Sequence, residues 1–163
     1  TLIGHSERRD LYHENNDIIA AKVVTALAAN ITPILCIGES LDIRTAGKVN
    51  EFIQAQLDSV IDAVGMTGLS KCILAYEPIW AIGTGVTATP AQAQEVHAFI
   101  RDYLGSIDAS VAQSLSILYG GSVNAKTAPD LFAQPDIDGG LVGGASLKEE
   151  EFLTICQAAN QRG

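Results

Sequence analysis

The feature that most limits what this chain can fold into is a five-fold alternation of a short apolar run with a segment of helical periodicity. The runs are Thr1 to Gly4, Thr32 to Gly38, Cys72 to Tyr76, Ser116 to Tyr119 and Gly140 to Gly143. Inside them apolar residues fall on consecutive positions, as in Ile34-Leu35-Cys36-Ile37 and Ile73-Leu74-Ala75-Tyr76. That is the pattern of parallel strands covered on both faces. Five units in 163 residues take about 33 residues each, close to the roughly 30 of a βα module. The prediction is an α/β fold, built either as an open doubly wound sheet or as a closed eight-stranded barrel.

The intervening segments carry the stripes and punctuation of helices. After Thr89, apolar Val96, Phe99, Ile100, Tyr103 and Leu104 recur at i, i+3, i+4, i+7 and i+8. Thr89, Pro90 and Gln92 supply N-cap, N1 and N3 of a capping box, and Gly105 is expected to end the helix. Ile53, Leu57, Val60, Ile61 and Val64 repeat the period ahead of Gly65. Ser146 with Glu149 predicts a second capping box before Phe152, Cys156 and Ala159. These stripes predict packing rather than sites. The charges from Lys148 to Glu151 predict a solvated first turn, and His13 and His97 are expected on helix surfaces.

Charge narrows the partners. Nineteen acidic against ten basic residues give a net charge of −9, which repels phosphate backbones and anionic lipid, so neither nucleic acid nor membrane is expected. No run approaches the roughly 20 apolar residues of a spanning helix. Thr1 opens into a strand-like segment with no signal pattern, and the expected location is cytoplasmic. Cys36, Cys72 and Cys156 are widely spaced, with no C-x-x-C pair and no histidine at ligand spacing. They are expected as buried free thiols, and no metal site is predicted. The only methionine is Met66, so Thr1 is not expected to be the natural start.

The predicted strand ends are polar and glycine-rich, and parallel strands in either architecture gather their C-terminal ends on one side. Gly120, Gly121, Gly143 and Gly144, with Gly83 and Gly85, would let backbone N–H groups approach an anion. Ser146 or Asn124 would begin a helix with a partly positive end. Together these read as a small phosphate site; tight turns are the plainer alternative. Glu77, followed at once by Pro78, is placed as a base pointed toward the rim, or as a salt-bridged rim acid. His5 precedes the helix start Ser6-Glu7, which favours a neutral imidazole able to donate a hydrogen bond, against a merely packed rim histidine. Ile79, Trp80 and Ile82 form an apolar loop between Pro78 and Thr87-Ala88 that would either close over a ligand or pack on the rim. The stretch from Gly83 to Ala88 fits G-x-G-x-x-A, but it lies several residues past the strand and lacks a ribose-binding acid at the right distance. G-x-x-x-x-G-K-[ST], G-x-S-x-G and H-E-x-x-H are absent, which removes P-loop, α/β-hydrolase and zincin readings.

Five segments carry a resemblance: G-H-S-E-R-R at Gly4 to Arg9, L-C-I-G-E at Leu35 to Glu39, A-Y-E-P-I-W-A-I-G-T-G at Ala75 to Gly85, Y-G-G-S-V-N at Tyr119 to Asn124, and D-G-G-L-V-G-G-A-S-L at Asp138 to Leu147. In this order the chain resembles the triosephosphate isomerase family over essentially its whole length. The resemblance implies a TIM (β/α)8 barrel, here five βα units of an incomplete barrel over residues 1–163, matching the family's strands four to eight. It implies a cofactor-free, homodimeric, cytoplasmic enzyme of glycolysis and gluconeogenesis that interconverts glyceraldehyde 3-phosphate and dihydroxyacetone phosphate through an enediolate. By motif position Glu77 would be the base and His5 the electrophile, while Gly83, Ser122, Gly143 and Gly144 would hold the phosphate. Glu7 would support the site by pairing with a lysine that, in the family, follows the first strand. Strands one to three, that lysine and the loop that docks into the partner subunit would lie outside this sequence. Val86 stands where many relatives carry Lys, and Gly140 where a larger residue is common. The alternative is an inactive, phosphate-binding partial barrel that self-associates to cover its open edges; a Rossmann-like nucleotide binder ranks third.

Overall fold

The computed structural model describes residues 1–82 and 87–160. Five strands, β1 (Leu2–Ile3), β2 (Ile34–Ile37), β3 (Ile73–Tyr76), β4 (Ile117–Tyr119) and β5 (Gly139–Gly140), form one parallel sheet in that spatial order. Every strand pairs with its sequence neighbour. The order never turns back, which removes the doubly wound alternative and its switch point. Strands wound one way, with helices between them, are consistent with part of a TIM barrel. The sheet curls, because Leu2 of β1 and Gly143 beyond β5 line the same cavity.

The helices are α1 (Ser6–Tyr12), α2 (Asn16–Ala28), α3 (Leu41–Thr45), α4 (Val49–Leu69), α5 (Pro90–Ile107), α6 (Ala109–Ser114), α7 (Ala128–Phe132) and α8 (Glu149–Asn160). Leu35, Leu74 and Ile117 of the central strands are fully buried and share one core with Ile53 and Leu57 of α4 and Ile100 of α5. Burying each such side chain contributes about 1.5–3 kcal/mol. The expected capping box opens α5: Thr89 Oγ accepts from Gln92 N–H, and Gln92 returns the bond to Thr89 N–H at 2.9 Å. Among the described residues no helix is long and apolar enough to cross a membrane.

Several expectations are corrected. The helix α5 passes Gly105 and stops at Asp108, whose carboxylate turns to cap α6 by accepting from Ser110 and Val111 N–H. Gly65, at φ 66° and ψ 174°, breaks the helical backbone of α4 where the stripe was expected to end, and a further helical stretch, not expected, runs on to Leu69. His97 is fully buried rather than on the surface, because it shares the inward face of α5 with Ala93, Val96 and Ile100. The inward face of α8 is Ile155 and Ala158, so Phe152 and Cys156 are exposed and only Cys36 and Cys72 are buried thiols. No Ser146–Glu149 box forms: Ser146 lies in a 3-10 turn (Gly144–Leu147) and its hydroxyl donates to Gly143 O at 2.7 Å. Asn124 starts no helix either; its side chain accepts from Lys126 and Thr127 N–H in a turn ahead of α7.

The last strand occupies Gly139–Gly140, earlier than the expected Gly140 to Gly143. Two glycines offer no side chains to fix a register, so neighbouring charges do it. Asp138 accepts from Ile117 N–H of β4 and from Arg101 of α5, each at 2.7 Å. Arg101 also donates to Asp136 Oδ1 at 3.0 Å, pinning the approach to β5 against α5.

Candidate active site

The strand ends collect on one rim, and the most constrained side chain there is Glu77, immediately after β3. Two glycines on flanking strands make room for it. A Cβ on Gly38, at the end of β2, would lie 1.8 Å from Glu77 O, and one on Gly120, at the end of β4, 2.9 Å from Glu77 Cγ. Gly120 N–H is already committed to Tyr76 O at 2.6 Å. The glycines of the β4 exit serve packing as well as lining the cavity: Gly121 leaves space for the Tyr119 ring, which an added Cβ would strike at 2.2 Å. Gly143 and Gly144 differ, with no atom within 4 Å of an added Cβ.

Glu77 does not point openly to the rim. Its side chain is 2% exposed. Oε2 accepts from Ser6 N–H at 2.9 Å, which draws the carboxylate under the β1–α1 turn. His5 Nε2 lies 2.9 Å from Oε1, but off the N–H axis, so Oε1 has no aligned donor among the described residues. Burial pushes the Glu77 carboxyl above the usual carboxylate range, opposed by His5, the Ser6 N–H and Arg9. The neighbouring Cys36 thiol is pushed up to about 12, chiefly by its own burial, and stays protonated.

His5 is the N-cap of α1, and its Nδ1 accepts from Glu7 N–H at 3.4 Å. A ring nitrogen that accepts carries no proton, so the neutral ring has its proton on Nε2, the atom facing Glu77. The imidazole is 30% exposed and forms wall between the buried carboxylate and a cavity of about 590 Å³. Around that cavity stand Glu7, Ser122, Gly143, Gly144 and Lys148. No cation reaches the exposed Glu7 carboxylate among the described residues. The sequence-predicted residues His5, Glu7, Ser122, Gly143 and Gly144 thus share one cavity, with Glu77 behind it. Gly83 lies outside the described residues.

Sequence reasoning missed Lys148, the only cation among the described residues lining this cavity; its place after Gly143-Gly144-Ala145-Ser146 was the available signal. It also missed Glu39. That carboxylate is fully buried, and its Oε1 accepts from Tyr76 Oη at 3.0 Å, Trp80 Nε1 at 2.8 Å and Arg44 Nη1 at 3.0 Å. The Arg44 guanidinium also lies 4.9 Å over the Trp80 ring. The 3-10 turn Ile79–Ala81 that follows Pro78 is thereby fastened to β2 through its indole. An acid one residue past a strand-end glycine gave no sign of this in the sequence.

A sequentially wound parallel sheet whose C-terminal rim holds a buried carboxylate and an imidazole beside an open cavity defines a barrel-type α/β protein. Comparison with known proteins narrows that class. The Triosephosphate isomerase family model matches residues 1–159, and the chain belongs to that family. It is 57% identical over 158 residues to proteins named triosephosphate isomerase from Vesicomyosocius okutanii subsp. Calyptogena okutanii and Thiobacillus denitrificans, and 55% identical to one from Pseudoalteromonas translucida. Each match covers 97% of this chain and 64% of the relative, so the chain spans less than two thirds of the length of the curated relatives it matches.

Proposed function

We propose that residues 1–163 form a single partial-barrel domain carrying much of the active site of a triosephosphate isomerase. The reaction is interconversion of glyceraldehyde 3-phosphate and dihydroxyacetone phosphate. The observation that carries this reading is the Glu77 carboxylate 2.9 Å from both His5 Nε2 and Ser6 N–H, beneath a cavity walled by Ser122, Gly143 and Gly144. A carboxylate made more basic by burial suits transfer of a proton between adjacent carbons near neutral pH. Glu77 leaves Ser6 N–H and removes a proton from the carbon next to the carbonyl. The C–H electron pair becomes the enediolate double bond, and the carbonyl oxygen takes the negative charge. His5 Nε2–H gives its proton to that oxygen as the charge develops and takes up the proton of the neighbouring hydroxyl, so the charge moves to the second oxygen. As that oxygen re-forms a carbonyl, Glu77 returns its proton to the original carbonyl carbon.

The phosphate is held by Ser122, by the Gly143 and Gly144 N–H groups and by Gly83; Lys148 at the same cavity is paired with Glu151 at 3.4 Å and would have to turn from it to meet the phosphate. Glu7 supports the site by pairing with a lysine from the part of the enzyme that this chain does not span. The complete enzyme is a homodimer in the cytoplasm. The test is an isomerase assay on this chain completed to family length with the corresponding N-terminal segment of the Thiobacillus denitrificans relative, beside a Glu77→Gln version prepared identically. Turnover that disappears in the variant supports the reading; equal rates in both overturn it. The 163-residue chain alone is expected to bind inorganic phosphate without turnover.

A further inference from the structure

Arg9 enters none of the roles above, yet it bonds to three separate elements at once. Its Nε donates to Gly4 O at 2.9 Å, its Nη2 to Cys36 O at 3.1 Å and its Nη1 to Asn16 Oδ1 at 2.9 Å. Gly4 is the residue that turns the chain from β1 into His5, at a left-handed φ of 78°. A Cβ there would sit 3.0 Å from Cys36 O and 3.2 Å from Arg9 Nη2, so turn, guanidinium and β2 carbonyl are in direct contact. His5 and Ser6, the two residues that touch Glu77, follow that turn immediately. A planar guanidinium can satisfy three fixed acceptors in this way, whereas a lysine ammonium reaching the same place cannot match the fork.

We infer that Arg9 is a positioning residue for the Glu77–His5 pair: it clamps the β1–α1 turn to β2 and α2 and places its charge in the field of the Glu77 carboxylate. The inference deepens the reading of Glu77 as the base and rests on it. The charged and titratable groups facing the guanidinium are Cys36, Glu77 and Glu14; those facing Glu77 are His5, Arg9 and Cys36. The Glu77 and Arg9 charges each favour the ionised form of the other. Glu14 is held below the usual carboxylate range by Lys22 and Arg8, and Glu77 lies above it, so their protonation steps separate.

The test is an NMR titration of the 163-residue chain that follows the Arg9 guanidinium nitrogens and the Glu77 carboxyl carbon, and it needs no turnover. In the unmutated chain the Arg9 signals shift with the Glu77 midpoint, and that step vanishes in Glu77→Gln. Arg9→Gln raises the Glu77 midpoint, the direction expected when a nearby cation is lost. Arg9→Lys keeps the midpoint closer to the original, but the His5 ring signals shift as the turn loosens. Arg9 signals blind to Glu77, or folded variants that leave both the Glu77 midpoint and the His5 ring unchanged, overturn the inference. If neither variant folds, the titration of the unmutated chain decides. A silent isomerase assay on the completed enzyme with intact Arg9–Glu77 coupling refutes the function and not the clamp; activity without coupling does the reverse.

Discussion

Replacing Gly38 by alanine should damage the fold and the site together. The added Cβ would stand 1.8 Å from Glu77 O, and real Cβ contacts do not fall below 3.0 Å, so β2 and β3 must part by about 1.2 Å at their C-terminal ends. The obstacle is backbone and cannot rotate away. Three bonds lie across this point: Glu77 N–H to Ile37 O at 2.7 Å, Gly38 N–H to Gln56 Oε1 at 2.9 Å and Gln56 Nε2 to Gly38 O at 3.2 Å. Strain of about 1–3 kcal/mol from overpacking, with one or two weakened bonds at about 1 kcal/mol each, gives a loss near 3 kcal/mol. For a domain of this size that lowers Tm by roughly 6–12 °C. Urea and thermal unfolding of Gly38→Ala measure it, with Gly144→Ala as control, since a Cβ there meets nothing within 4 Å. A Gly38→Ala chain within 0.5 kcal/mol of the original on the ~1 kcal/mol scale of ordinary substitutions would refute the claim that β2 and β3 touch here. In the completed enzyme the same displacement of Glu77 should cost about 100-fold in kcat.

Other outcomes follow from the buried charges and thiols. Arg44→Ala strands the Glu39 carboxylate without its cation and should destabilise the chain by about 3 kcal/mol in urea unfolding, much of it recovered in the Arg44→Ala, Glu39→Gln double variant. Burial lowers His97 from 6.5 to about 4, so the unfolded chain binds the extra proton in that window and stability falls as pH drops through it. The slope reaches at most about 1.4 kcal/mol per pH unit. Glu77, raised in the folded state, acts in the opposite sense. The His97 contribution is therefore read as the difference between the original chain and His97→Gln, whose profile should be flatter by that amount. Titration with a thiol reagent should modify Cys156 in the native protein, whereas Cys36 and Cys72, buried and pushed up to about 12 and 11, react only on unfolding.

The strands were legible because their apolar residues are consecutive: Ile34 to Ile37 and Ile73 to Tyr76 fall within the expected runs. The β5 strand was misplaced because Gly139 and Gly140 have no side chains to reveal a period, and its register comes from Asp138 and Arg101, distant in sequence. His97 was misread through its polarity, although its spacing from Ala93, Val96 and Ile100 puts it on the buried stripe. His5 and Glu77 were legible as candidates from their strand-end positions, and the structure brings them together. Their orientation was not legible: the carboxylate turns onto Ser6 N–H, 71 residues earlier in the chain. Gly120 lines the cavity and also makes space for Glu77, a second role set by strand spacing rather than by local pattern.

The most direct measurement is incorporation of solvent deuterium at the carbon next to the carbonyl of dihydroxyacetone phosphate, followed by proton NMR in heavy water with the completed enzyme. That exchange reports proton removal itself. Incorporation should fall at least about 10³-fold in Glu77→Gln, the upper part of the range for loss of a general base. Equal incorporation by both proteins would contradict the assignment of the proton transfer to the carboxylate beneath His5.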